Sequence, residues 1–314
     1  MRTQPDKEQK SDGRYSMTDA ETEIDDFAAT APPDEDAGCV VPALPPRLLK
    51  RAAEIASILN PVNAPLTQSA ATENGLPEVA ELAVLTSKYW GLQRRTLSVS
   101  FMETTSADLQ QRILSHMNAW NLSVTFVLTN GTGQVRISRA GQGYWSYLGT
   151  DILLIPQNRP TMNLQGFSMT TAEGEYKRVV RHETGHTLGF PHEHLRRALV
   201  DRLDVAKTIA YFRDTYGWSE QQTRSNVLTP LDERSIMGTP NADQDSIMCY
   251  QLPGQITTDG QPIRGGLDIN VADRTFANSI YPRFWPLSSQ ETDWDEAEDI
   301  SMDSALAQAY ASAG

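Results

Sequence analysis

Four of the five histidines lie within thirteen residues, at His182, His186, His192 and His194. Positions four apart share one face of a helix, so the imidazoles of His182 and His186 can bind the same metal ion. Glu183 follows His182 directly, and from there its carboxylate can reach a water on that ion without binding the ion itself. The spacing therefore predicts a metal site with a general base beside it.

The residues after His186 supply a third ligand. Gly189 favours the end of a helix, because glycine readily adopts the left-handed conformation of a helix cap. The chain can then turn back, and Pro191 stiffens the approach of His192 to the ion. Three protein ligands leave a fourth position for water, which is typical of catalytic zinc. The alternative interpretation is a chance arrangement of surface or core histidines.

The stretch 182–192 resembles the extended motif of the metzincin clan of zinc peptidases, His-Glu-x-x-His-x-x-Gly-x-x-His. Within that clan the chain is most similar to the astacins. Their motif continues as Gly-Phe-x-His-Glu-x-x-Arg, and Phe190, Glu193 and Arg196 match it. The resemblance extends over about residues 85–283.

The downstream methionine turn of the astacins, Ser-x-Met-His-Tyr, is similar to residues 246–250. Met248 and Tyr250 match it, whereas Cys249 stands in place of the histidine. Met237 lies in a comparable triplet, but no tyrosine follows it two residues on, so Met248 is the predicted residue beneath the metal. Without the upstream motif, Met248 would be interpreted as a core methionine.

The resemblance implies a role for each matching residue. Zn²⁺ would be held by the three histidines, and Glu183 would take a proton from the attacking water and pass it to the leaving amine. Tyr250 would bind the resting metal and then swing away to hydrogen-bond the oxyanion; a buried structural tyrosine is the alternative. Glu193 would be reached by a new N-terminus after propeptide removal, or would be a solvent-exposed charge at a helix end.

The chain departs from the astacin pattern in several places. The Arg-x-Asp-Arg-Asp continuation after Arg196 is missing, as are the four usual cysteines and an obvious aspartate switch. Cys39 suggests another form of latency, because a thiolate is an excellent zinc ligand. We hypothesise that Cys39 caps the zinc until residues before about Tyr89 are removed. An inert thiol in a flexible arm, or pairing with Cys249, are the alternatives.

Three further residues receive minor interpretations. His194 fits no ligand position and is expected near the ligands or at the surface. His116 falls on the apolar face of its helix and is interpreted as a core or boundary histidine. Astacins often favour acidic residues after the cleaved bond, and Arg264 is a conceivable determinant.

The formal net charge of −13 is concentrated in the tails. Residues 1–40 carry 11 acidic and 4 basic side chains, and residues 287–314 carry 7 acidic and none basic, which leaves 22 acidic and 23 basic between them. Acidic, aromatic-poor tails usually solvate a protein or stay disordered. No basic stripe predicts nucleic-acid binding, no evident signal peptide begins the chain, and no stretch approaches the roughly 20 apolar residues of a membrane span.

The predicted fold class is α+β. The resemblance implies a zincin-like domain with a twisted five-stranded mixed sheet, two long helices and an irregular C-terminal subdomain after Gly189. The predicted organisation has four parts: an acidic flexible arm (1–45), a helical pro-like segment (46–84), the peptidase domain (85–285) and an acidic tail (286–314). Periodicity predicts helices and strands. The helices are 47–59, 77–85, 106–120, one beginning near 174, 205–216 and 267–281; the strands are 96–101, 122–128, 134–138, 151–155 and 161–164.

The predicted function is zinc-dependent endopeptidase activity on a protein or peptide substrate. A silent zinc scaffold acting through a protein partner is the alternative, which the intact Glu183 disfavours; a zinc hydrolase of another substrate is a third. The protein is expected to be a soluble monomer, and by family analogy extracellular.

Overall fold

The computed structural model describes residues 39–64, 87–232 and 241–283. The predicted helix at 77–85, the alternative methionine Met237 and most of both acidic tails lie outside these residues. Within the described ranges, no helix combines the length and the apolar character needed to cross a membrane.

Five strands form one mixed sheet, as the sequence predicts for this α+β fold. Their order is β2-β1-β3-β5-β4; the first four in this order run parallel, and β4 pairs antiparallel to β5 at the edge. The bounds are β1 Arg95–Phe101, β2 Val124–Leu128, β3 Val135–Ser138, β4 Tyr144–Ser146 and β5 Met162–Leu164.

The helices agree closely with the periodicity of the sequence. Helix α3 spans residues 173–187 through a π turn at Tyr176–Val180, so that the histidine motif ends a long helix. The other helices are α1 Leu49–Leu59, α2 Ala107–Met117, α4 Arg197–Val200, α5 Val205–Tyr216, α6 Glu220–Thr223 and α7 Val271–Ile280. Short 3-10 turns lie at Pro46–Leu48, Pro61–Asn63, Asn118–Trp120, Gly149–Leu154, Glu193–Leu195 and Gly254–Ile256, and a second π turn at Arg224–Leu228.

One predicted strand is wrong. The apolar run 151–155 lies largely in the 3-10 turn Gly149–Leu154, and the remaining strand of the sheet is the three-residue β4. Gly149 has φ +47°, and an added Cβ there would overlap the Lys88 carbonyl, which accepts a hydrogen bond from the Thr150 N–H at 3.1 Å. This close approach fixes the run in a turn.

The buried side chains form two clusters, one around the sheet and one in the irregular part after Gly189. The segment before α1 connects them, because Leu44 packs in the sheet cluster and Cys39 in the other. Residues 39–45 were predicted to belong to a flexible arm, and here that prediction is wrong. Asn63, after α1, ties that end of the N-terminal part to the peptidase domain, since its amide donates to the Tyr89 carbonyl at 2.8 Å and accepts the Tyr89 N–H at 3.0 Å.

Aromatic side chains anchor the C-terminal half of α3. The indole N–H of Trp90 donates to the Thr187 carbonyl at 2.8 Å, and the hydroxyl of Tyr281 donates to the Leu188 carbonyl at 2.5 Å. Trp120 donates to the Arg181 carbonyl at 2.8 Å. Carbonyls at a helix end lack partners within the helix, so the bonds to Thr187 and Leu188 satisfy them, and the Trp120 bond fixes the helix further along.

Candidate metal centre

The imidazoles of His182, His186 and His192 converge on one point. Their Nε2 atoms lie 3.1 Å apart between His182 and His186, 3.0 Å between His186 and His192, and 3.3 Å between His182 and His192. Zinc holds imidazole nitrogens at about 2.0–2.1 Å in tetrahedral geometry, which places the nitrogens roughly 3.3–3.4 Å apart. The three side chains therefore fit one zinc ion, and we call the place where their Nε2 atoms converge the metal point.

The Nδ1 atoms of the two helical ligands lie at backbone carbonyls. Nδ1 of His182 is 2.5 Å from the Ile247 carbonyl, and Nδ1 of His186 is 2.8 Å from the Phe190 carbonyl. A carbonyl only accepts, so each Nδ1 carries the proton and each Nε2 presents its lone pair to the metal point. Burial also lowers the pKa of the His182 imidazole to about 4 and the pKa values of His186 and His192 well below their usual range, which keeps all three neutral.

Gly189 reverses the chain as the sequence predicts. Its φ is +95°, its N–H donates to the His186 carbonyl at 2.8 Å, and the next N–H, of Phe190, donates to the Gly185 carbonyl at 2.9 Å. A Cβ at Gly189 would also lie 2.9 Å from the Lys88 carbonyl oxygen. Glycine is needed here for both its conformation and its size, and the reversal brings His192 back to the site.

The methionine turn lies directly beneath α3. Met248 is buried, and its sulfur packs so closely against Gly185 that no side chain fits between them. The Met248 carbonyl accepts the Glu193 N–H at 2.8 Å, and this bond ties the turn to the segment that carries His192.

Asp273, at the start of α7, holds this turn and was not singled out in the sequence. Its carboxylate accepts the Ser246 hydroxyl at 2.5 Å and the Ile247 N–H at 3.0 Å, and it forms a capping box with Asn270. Since the Ile247 carbonyl accepts from His182, the first turn of α7 and a metal ligand bind the two backbone groups of the same residue. The Asn270-x-x-Asp273 spacing could have identified the cap, though not its contact with the turn.

Glu183 is 1% exposed and faces the same point. The thiol of Cys39 donates to its Oε2 at 3.3 Å. Burial raises the pKa of Glu183 to about 8, although the hydrogen bond from Cys39 and the charge of Arg178 both oppose that shift. A carboxylate with an increased affinity for a proton thus lies beside the three imidazoles.

Cys39 brings a fourth side chain with a metal-binding atom to this point. Its sulfur and one nitrogen from each of the three histidines all lie within 4.8 Å of one another. Both Cys39 and Cys249 are free thiols, so the alternative of a disulfide between them is not what the structure shows. The chain thus brings together a residue of the N-terminal segment and the ligands of a distant helix.

Tyr250 lies against the ligands with its hydroxyl buried and without a hydrogen-bond partner among the described residues. Its ring is 4.4 Å from that of His192 and 4.0 Å from that of His194. Burial, with Cys39 and Glu183 nearby, raises the pKa of Tyr250 well above its ordinary value, so the group is a phenol able to donate. A buried hydroxyl without a hydrogen-bond partner, beside the metal point, suits a group that binds the metal or donates a hydrogen bond to a bound oxyanion.

Glu193 lies at a second, small cavity rather than at an exposed helix end. Its side chain is 20% exposed, and its Oε1 accepts the Asp243 N–H at 3.0 Å. Burial raises the pKa of Glu193 to about 7. Tyr89 and Asp273 also line this cavity.

A cleft of about 220 Å³ opens at the metal point. Tyr144 of the edge strand β4 lines one side, and Arg178 and Arg264 contribute two positive charges. Arg264 is ion-paired with Asp245, and Arg178 with Glu175.

The remaining two histidines agree with their sequence interpretation. His194 is fully buried next to the ligands, and its Nε2 bonds the Asn226 carbonyl at 2.9 Å. His116 is buried on α2, 3.4 Å from Glu173 and packed on Tyr176.

An α+β domain with three convergent histidines and a buried glutamate on its motif helix has the architecture of a zinc peptidase. The chain belongs to the astacin family: residues 84–253 match the model of the Astacin peptidase family, which is more than half of the sequence. Zinc is therefore the metal that this donor set is built to bind.

The known proteins that are similar to the chain include a zinc metalloproteinase of known sequence and a solved structure. The zinc metalloproteinase nas-27 of Caenorhabditis elegans is 31% identical over 121 residues, which are 37% of this chain and 26% of that protein. The chain thus matches about a quarter of the length of this relative. The structure of myroilysin is 28% identical, with a TM-score of 0.59, and the match covers 63% of this chain and 97% of that structure.

The contact between Gly185 and Met248 can be tested by substitution. A Cβ at Gly185 would overlap the Met248 sulfur and lie 3.0 Å from its Cε. We expect Gly185→Ala to lower the free energy of unfolding by about 1–3 kcal/mol, as overpacking does, and to weaken zinc binding because the turn beneath His182 moves. Gly174→Ala, in the same helix with nothing within 4 Å, is the matched control and should leave both unchanged or slightly improved. Denaturant unfolding and zinc titration measure the difference, and equal behaviour of the two variants would contradict the contact.

Proposed function

We propose that this chain is a zinc-dependent endopeptidase in which Glu183 is the general base, and that it has a latent form with Cys39 at the metal. The observation that carries the proposal is the placement of Glu183: a buried carboxylate beside three convergent imidazoles, in a cleft lined by a sheet edge. Family membership supports the same activity.

The chain's own residues supply the proton transfers. Bound zinc would lower the pKa of its water to about 7 and polarise the scissile carbonyl. Glu183 takes the proton of the attacking water and delivers it to the leaving amine, which its position beside the ligands favours. Tyr250 donates its phenolic proton in a hydrogen bond to the oxyanion, which its unpartnered hydroxyl supports.

The substrate is proposed to be a protein or peptide bound in extended form. Strand β4 is the sheet edge nearest the site, since Tyr144 lines the cleft. An exposed strand edge can pair with the backbone of an extended peptide, and this places a peptide bond across the cleft. The cleft arginines do not by themselves assign a preference for particular side chains.

Glu183→Gln tests the catalytic assignment. We expect cleavage of casein to fall by about 10²–10⁴-fold, the usual contribution of general acid–base catalysis, with zinc content unchanged because Glu183 is not a ligand. The comparison is made in a Cys39→Ala background, so that the thiol does not compete at the metal. Glu220→Gln, an exposed carboxylate on α6, is the control.

The same assay separates the alternatives. Full cleavage by Glu183→Gln would end the assignment of the base, and cleavage that persists after zinc is removed by a chelator would end the metal mechanism. Zinc binding without any cleavage in the Cys39→Ala chain would favour the scaffold. Hydrolysis of an ester but not of casein or gelatin would favour a hydrolase of another class.

Latency is proposed because Cys39 lines the cleft and lies among the ligands, where its thiol takes the fourth position that a catalytic metal needs for water. Leu44, five residues on, packs in the sheet core and holds the segment in the domain. Burial raises the pKa of the Cys39 thiol, whereas a metal ion would favour its thiolate.

Cys39→Ala is expected to raise the activity of the full-length chain at least about tenfold, since loss of one ligand opens the fourth zinc position. Cys249→Ala, at the other buried free thiol, should leave latency intact. In the Co²⁺-substituted protein, the thiolate-to-metal charge-transfer band should disappear in the first variant only. Unchanged activity and an unchanged spectrum for Cys39→Ala would exclude the switch.

Glu193 is proposed to receive the N-terminus that processing creates, as the family resemblance implies. The carboxylate of Glu193 is half-buried and lines a cavity, and there it can pair with the ammonium group of a new N-terminus, which supports this role. We expect the active form to begin at about Tyr89, and Glu193→Gln to lower the activity of the processed enzyme several-fold with little effect on the unprocessed Cys39→Ala chain. N-terminal sequencing locates the start, and parallel assays compare the two forms. A start far from Tyr89, or equal losses in both forms, would contradict the role of Glu193.

We further propose, by family analogy, that the protein acts outside the cell and as a monomer. No nucleic-acid partner is proposed.

A further inference from the structure

We infer that His194 is a positioning residue that fixes the ring of Tyr250, and thereby the direction of the Tyr250 hydroxyl at the metal point. The inference rests on the proposed function of Tyr250. It assigns a role to the one histidine of the cluster that is not among the convergent ligands.

Ring packing holds Tyr250 in place. The imidazole of His194 stacks on the phenol ring at 4.0 Å with an interplanar angle of 16°. The ring of His192 lies on it at 4.4 Å and 54°. Because the Tyr250 hydroxyl has no hydrogen-bond partner among the described residues, its orientation depends on what touches the ring.

His194 is itself fixed to a different part of the domain. Its Nε2–H donates to the Asn226 carbonyl at 2.9 Å, and the Asn226 amide donates to the Gln222 carbonyl at 2.9 Å. These residues belong to α6 and the π turn that follows it. A hydrogen-bonded path thus leads from α6 to the flat ring that stacks on Tyr250.

The position of His194 in the chain also places its ring against Tyr250. It is two residues after the ligand His192, in the 3-10 turn Glu193–Leu195. The turn therefore places one imidazole at the metal and the other against Tyr250, with 5.0 Å between the two ring centres. Movement of Tyr250 away from the metal would have to slide along or leave the face of His194.

If His194 had a purely structural role, its removal would have a different effect on activity. A buried imidazole that only fills space would, when removed, lower stability and activity regardless of the side chain at position 250. A positioning residue acts through the phenol hydroxyl, so its removal should matter only while that hydroxyl is present. A double-mutant cycle separates the two.

The experiment measures kcat, KM and zinc affinity for His194→Ala, Tyr250→Phe and the double variant in the Cys39→Ala chain. We expect Tyr250→Phe to lower kcat by about 10²-fold, as loss of an oxyanion donor does, and His194→Ala to lower it about tenfold. KM and zinc affinity should change less than about twofold, and His194→Ala should have no further effect on kcat in the Tyr250→Phe background. His194→Phe keeps a flat ring against Tyr250 but loses the bond to the Asn226 carbonyl, so its kcat should fall less than that of His194→Ala.

An equal fall of kcat in both backgrounds would overturn the inference, as would a loss of zinc affinity in His194→Ala. His116→Ala, which removes a buried imidazole from α2, controls for lost stability and should leave kcat unchanged.

A second readout does not need activity. The family resemblance implies that Tyr250 binds the resting metal, so the Cu²⁺-substituted Cys39→Ala chain should show a phenolate-to-metal charge-transfer band. That band should vanish in Tyr250→Phe and shift or weaken in His194→Ala. An unchanged band in His194→Ala would overturn the inference. A full band with no cleavage would instead count against the proposed peptidase function.

Discussion

Three nitrogen lone pairs aimed at one buried point are the constraint on which the rest of the structure depends. The lone pairs of Nε2 atoms that lie 3.0–3.3 Å apart repel one another, and buried nitrogen acceptors without partners are unfavourable. The arrangement is favourable only with a cation among them. The long helix, the glycine reversal and the methionine turn each remove an alternative position for one imidazole, and metal binding is thereby coupled to folding.

The support for these imidazoles comes from backbone rather than from carboxylates. Carbonyls of Ile247 and Phe190 fix the tautomers of the two helical ligands. A backbone carbonyl carries no charge and cannot titrate, so the ligand orientation does not change with pH as it would beside an aspartate. The single carboxylate that does contribute, Asp273, acts one peptide unit away.

The centre could be predicted from sequence because its ligands are local. The helical period places His182 and His186 together, and Gly189 is a recognisable stop, so short-range geometry determines most of the site. Periodicity also predicted the main helices and four of the five strands, whereas the arrangement of the strands in one mixed sheet was implied by the family resemblance. Asp273 shows where this ends, because it reaches the site from a distant element and no local pattern encodes that contact. Cys39 is equally distant, and the sequence could suggest it at the metal only from the chemistry of a thiolate, with an inert thiol and a disulfide as open alternatives. The run 151–155 failed for another reason, since a short apolar run fits a strand or a turn, and the contact of Gly149 with the Lys88 carbonyl decides between them.

The shortness of β4 has a consequence for what can be digested. An edge of three residues offers a substrate few backbone hydrogen bonds, so a polypeptide must arrive already extended to use them. Helices and paired strands cannot do this without first unfolding locally, which carries a free-energy cost that depends on the target protein. For a peptidase of this construction, the rate of cleavage of a folded protein would therefore report how often that protein opens, and compact proteins would resist it regardless of their sequence.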